Sequence, residues 1–192
     1  MAIKKVDDEK TDLTDGRPEG NWKSRYKGRA WVQILAELAY LLFLLIIVAT
    51  AILVAGWALS EGIGVDGRLL LLGQYAIQKD LLQWVLVALA GMTGGIVFDL
   101  KWLYHSVAKG LWSVDRVLWR VLVPLISGVV SVFLAFVIVS GLVPFVKQET
   151  FKTTYFCLGF GFLFGYFSDN VIAALQNFAQ RYIGTTKQSD ED

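Results

Sequence analysis

Apolar positions in this chain gather into four runs, at residues 38–60, 81–98, 121–146 and 153–168, and none of the four contains a charged residue. A helix needs ~20 apolar residues to cross the ~30 Å hydrocarbon core of a bilayer. The first and third runs meet that length outright. The second and fourth meet it with their polar ends, Asp99 and Asp169, at the interface. The pattern predicts an all-α polytopic membrane protein with four transmembrane helices. The expected spans are at about 33–59, 81–104, 117–145 and 153–175, within a transmembrane domain at residues 31–182. A polar tail at residues 1–30 and a short acidic tail at 183–192 flank it, neither with enough aliphatic residues to build a core. The first run begins too late and is too long for the ~7–15-residue core of a cleaved signal peptide, so it is read as a retained span.

Charge sets the orientation. Lys23, Arg25, Lys27 and Arg29 precede the first run, and Lys101, Lys109, Arg116 and Arg120 lie between the second and third. The other two connections carry only Arg68 and Lys79, and Lys147 and Lys152. Basic residues near span ends stay on the cytoplasmic side. Both termini and the middle connection are therefore expected there. Tryptophan agrees: Trp22, Trp31, Trp102, Trp112 and Trp119 fall at the basic level, and Trp57 and Trp84 at the other. Its amphipathic ring favours both interfaces. The stretch 69–75 is read as a short helix lying flat on the outer surface, and the segment after Asp169 as an amphipathic continuation of the last span.

Most ionisable residues near the spans fall at the basic end. Glu37 sits in the first turns of span one, and Asp99 lies ~27 Å along span two at ~1.5 Å per residue. Lys101 follows it, Arg120 begins span three, and Asp169 and Asn170 close span four. These six are the candidate polar layer. Charges at membrane depth pair or reach water, so Asp99 or Asp169 against Arg120 or Lys101 is the expected pairing.

Spans two and four share a pattern, Gly91-x-x-x-Gly95-x-x-x-Asp99 and Gly161-x-x-x-Gly165-x-x-x-Asp169. Residues four apart share a helix face, and small residues at that spacing let helices approach closely. Span three offers Ser127, Ser131 and Ala135 at the same interval. The repetition suggests two helical hairpins in parallel orientation. Pro124, inside span three, is expected to kink it.

Catalytic chemistry finds little footing. One Cys (Cys157) and one His (His105) exclude an intrachain disulfide and argue against a zinc cluster. No phosphate loop, dinucleotide fingerprint, H-E-x-x-H or G-x-S-x-G is present. The expectation is a non-enzymatic protein without cofactor or metal and without a nucleic-acid partner.

Gly94-Gly95 followed by Lys101, then Arg120 with Pro124 and Gly128, then Gly165-Tyr-Phe-Ser-Asp169 resemble a family of small, uncharacterised bacterial four-span inner-membrane proteins. The resemblance covers residues 94–175, under half of the chain. It implies a bacterial inner-membrane protein. Similar small multi-span proteins serve as membrane effectors in antiviral defense. With glycine grooves expected to stay open, the chain is read as a homo-oligomer in the lipid bilayer. Its expected function is a pore or channel-like effector gated at the cytoplasmic face. The alternative is a membrane-anchored scaffold or sensor subunit that holds a cytoplasmic partner protein.

Overall fold

The computed structural model describes residues 23–60, 65–66, 76–77, 79–142 and 148–182. Trp22 and the stretch 69–75 lie outside them, as do the tail 183–192 and most of the tail 1–30. Among the described residues, five α-helices carry the fold: α1 Gly28–Ser60, α2 Lys79–Lys109, α3 Val117–Val137, α4 Thr154–Tyr166 and α5 Ser168–Tyr182. One two-residue antiparallel ladder, β1 Val65–Asp66 with β2 Ala76–Ile77, lies in the α1–α2 connection and has no counterpart in the sequence expectation.

Three helical segments, at Gly28–Ser60, Leu81–Lys109 and Val114–Gly141, are long and apolar enough to cross a membrane, with mean hydropathies of 2.9, 1.9 and 2.7. The fourth expected span is not one helix. α4 has 13 residues, about 20 Å at ~1.5 Å per residue and short of the hydrocarbon thickness. At Phe167 the chain turns by 74° into α5, so a fourth crossing exists only if the bent pair counts as one span. The cause is local: Ser168, Asp169 and Asn170 interrupt the apolar run. Their polar side chains suit a helix start, and Asp169 sits in the first turn of α5, where a carboxylate complements the helix dipole.

α2 is the centre of the bundle, packed by α1, α3 and α4. Its most apolar window is 44% buried against 17% for α1, which makes most of its helix contacts with α2. Gly161 lies beside Val87, Gly165 beside Gly91, and Gly94 beside Tyr166, so α2 and α4 run parallel. Ser131 lies beside Gly91 and Ser127 beside Gly95, so α3 runs antiparallel to α2. A Cβ on Gly165 would overlap the Gly91 backbone, and one on Gly91 would come 2.5 Å from Ser131 Oγ. The glycine faces are thus filled within one chain. The stripes of α2 and α4 that motivated the homo-oligomer are occupied, because the three small-residue faces meet one another. Pro124 is buried, and α3 runs unbroken through it. The break in this span comes later, at the π-helical Ile138–Leu142 with Gly141 at φ 83°.

At the end opposite the basic residues, Ala55, Leu59, Leu82, Leu86, Val87, Ile138 and Phe160 form one buried cluster. Phe151 packs into it and lies edge-on to Phe156. A smaller cluster, Leu41, Val48, Ile96 and Leu103, joins α1 to α2.

Candidate functional site: a buried charge cluster at the basic end

Residues ahead of α1, expected to be part of a polar tail, fold back on the bundle. Arg25 Nη1 donates to the Lys109 carbonyl at 2.8 Å. The Tyr26 hydroxyl donates to the Ser106 carbonyl and accepts from the Trp112 amide at 3.1 Å. Tyr26 also stands edge-on to Trp31 and Trp112. Gly110 makes the turn at the end of α2, with φ 74°. The Leu111 amide donates back to the Ser106 carbonyl there, the glycine-ended helix cap. These contacts place Trp112 over α1, where its Nε1 donates to Glu37 Oε2 at 3.1 Å.

The same oxygen accepts from Arg120 Nη1 at 2.6 Å. Glu37 is 8% exposed and Arg120 2%, which makes this a desolvated ion pair between α1 and α3. The expected pairing of Arg120 with Asp99 or Asp169 is therefore corrected: the partner is Glu37, 83 residues away in sequence. Asp99 is fully buried on α2, and neither of its oxygens accepts a hydrogen bond among the described residues. Glu37 Oε1 and Arg120 Nε and Nη2 are likewise buried without a hydrogen-bond partner.

The rest of the expected polar layer divides. Lys101 Nζ donates to the Tyr166 hydroxyl at 3.1 Å, an exposed contact. Asp169 and Asn170 are exposed at the start of α5. The packing residues do converge. Ser127 Oγ and Ser168 Oγ are 2.9 Å apart, and Ser131 Oγ lies within hydrogen-bond reach of the Ser127 and Gly161 carbonyls. This serine column ties α3 to α4 and to the bend.

Between α1 and α3 the pair borders a cleft of about 230 Å³, lined by Gln33, Ala36, Glu37, Tyr40, Leu41, Val117, Arg120 and Val121. Glu37, Leu41 and Arg120 are its buried members; Ala36, Tyr40 and Val121 are exposed at its mouth. Among the described residues no group of three or more metal-ligating side chains occurs. Sequence reasoning missed Tyr26 and Trp112 as members of the site; their only signal was aromatic character beside the basic segments. Compared with known proteins, the chain matches no family model, no curated protein and no solved structure.

Proposed function

We propose that the chain is a non-enzymatic, multi-pass protein of the bacterial inner membrane that acts as a membrane-anchored scaffold or sensor subunit. Both termini and the α2–α3 connection face the cytoplasm, following the basic residues at that end. The observation that carries this reading is the asymmetry of the bundle. Among the described residues its buried charged side chains lie toward the basic end, and the cluster around Leu86 and Phe160 packs the other. A conducting path needs polar groups or a wettable constriction along its length. Among the described residues, the cluster at the apolar end holds no charged side chain. A path between copies would be lined by outward faces carrying Val32, Phe43, Ile46, Leu53 and Phe133, all exposed and apolar. The geometry thus favours the scaffold over the pore.

The surface offered to a cytoplasmic partner is the basic end with α5. That helix turns out of the bundle and exposes Ala173, Ala174, Leu175, Gln176 and Asn177. Ion flux from proteoliposomes tests the reading. The scaffold predicts release no faster than from empty liposomes across pH and voltage. Steady conductance by the purified chain alone would restore the pore.

A further inference from the structure

α5 leaves the bundle sideways. Gly165 lies beside Gly91 and Gly94 beside Tyr166, so α4 runs along α2, a helix long enough to cross a bilayer. At Phe167 the chain turns by 74°. A segment that turns this far from a crossing direction runs close to the bilayer plane. Two serines set its depth. Ser168 Oγ lies 2.9 Å from Ser127 Oγ, and Ser127 lies beside Gly95. On α2, Gly95 precedes Trp102 by seven residues, about 10 Å of helix rise. Trp102 and Lys101, whose Nζ reaches the Tyr166 hydroxyl, mark the interface at the basic end. α5 thus starts at the depth where in-plane amphipathic helices rest, ~5–10 Å into the boundary between headgroups and acyl chains.

The two sides of α5 differ. Val171 and Leu175 are four apart and share one side; Asn170 and Asn177 are seven apart and share another. α3 packs against α5, and Val171 is half-buried. One turn later on the same side, Leu175 is 51% exposed. The apolar stripe therefore begins on the protein and runs off its edge. Asn170 and Asn177 are both exposed.

We propose that α5 is an in-plane membrane anchor: its Leu175 side rests on lipid at the cytoplasmic boundary of the bilayer, and its Asn170–Asn177 side faces water. Continuity argues for lipid as the occupant, because lipid is what surrounds the bundle at the depth where the stripe leaves α3. Charge agrees. α5 carries one acid, Asp169, and one base, Arg181, so the contact is apolar and a zwitterionic bilayer suffices. The inference rests on the membrane reading above, and it narrows the part of α5 left for a cytoplasmic partner to the Asn170–Asn177 side.

The test uses the full chain with Cys157→Ala, reconstituted in phosphatidylcholine vesicles. A nitroxide is attached at Leu175→Cys, at Asn177→Cys, or at Phe43→Cys, a position 65% exposed on α1 that serves as the lipid reference. Electron paramagnetic resonance then compares collisions with oxygen, which concentrates in lipid, and with a water-soluble nickel complex. The Leu175 label is expected to favour oxygen at a depth of ~5–10 Å below the phosphates, and the Asn177 label to favour nickel. Nickel-favouring collisions at Leu175 would overturn the proposal and leave that side to a protein partner. Oxygen-favouring collisions at both positions would overturn it too, by sinking the whole helix in lipid. A Phe43 label that favours nickel would overturn the membrane reading itself, and the anchor with it.

Discussion

The two ends of this bundle are built on opposite principles. At the apolar end, α1, α2, α3 and α4 meet through aliphatic and aromatic side chains, with Leu82, Leu86, Val87 and Cys157 nearly inaccessible. At the basic end the same helices bury Glu37, Asp99, Arg120, Ser127 and Ser131. In lipid, apolar contact between helices has no hydrophobic drive behind it, so the apolar end depends on close fit. The polar end depends on electrostatics, and a pair sequestered from water is sensitive to loss of either partner. Close fit thus holds one end, and a buried ion pair with unmatched polar atoms beside it marks the other.

Substitutions should separate the two principles. The largest effect is expected from Gly165→Leu, whose side chain must displace the Gly91 backbone. It should cost at least ~3 kcal/mol and abolish a monodisperse peak in detergent. Arg120→Leu comes next. It leaves Glu37 buried without its cation and should cost about 3–5 kcal/mol in a denaturation series. The double change Glu37→Leu with Arg120→Leu should recover most of that loss, because two apolar side chains replace a desolvated pair. Failure of the double change to recover would move the role of Arg120 from Glu37 to Asp99. Asp99→Leu is expected to act in the opposite direction. It removes a buried carboxyl that has no hydrogen-bond partner among the described residues and should raise stability by roughly 1–3 kcal/mol; a loss of stability would mean that Arg120 needs the Asp99 carboxyl. The smallest effect belongs to Ser168→Ala. It removes the hydroxyl contact with Ser127 and should cost about 0.6 kcal/mol, the usual scale of such a bond between membrane helices.

Much of this architecture is legible in the sequence, for identifiable reasons. Apolar runs report solvent directly, so the helices and their crossing lengths follow from run length. Interval-four spacing of Gly91, Gly95, Ser127, Ser131, Gly161 and Gly165 reports helix faces, and those faces are the ones in contact. Spacing does not say which face meets which. The small-residue stripes could satisfy one another within a chain as well as between copies, and they do so within. The partner of Arg120 was illegible for a related reason: depth alone admits Glu37, Asp99 or Asp169, and only the azimuth of α1 decides. The bend at Phe167 has no proline to announce it; Gly165 is already accounted for by its packing on Gly91, which leaves the polar triplet Ser168-Asp169-Asn170 as the signal. The packing of Tyr26 against Trp112 joins residues 86 apart through a backbone amide, which leaves no periodic trace.

The most direct test of the asymmetric bundle is thiol labelling from each side of a sealed membrane. The background is Cys157→Ala, since Cys157 is the only cysteine. Single cysteines are placed at Ser113, in the α2–α3 connection, and at Leu86, 0% exposed in the apolar cluster. A membrane-impermeant reagent should modify Ser113→Cys from the cytoplasmic side alone and should reach Leu86→Cys from neither side. Labelling of Leu86→Cys from either side, or of Ser113→Cys from the outer side, would contradict the account.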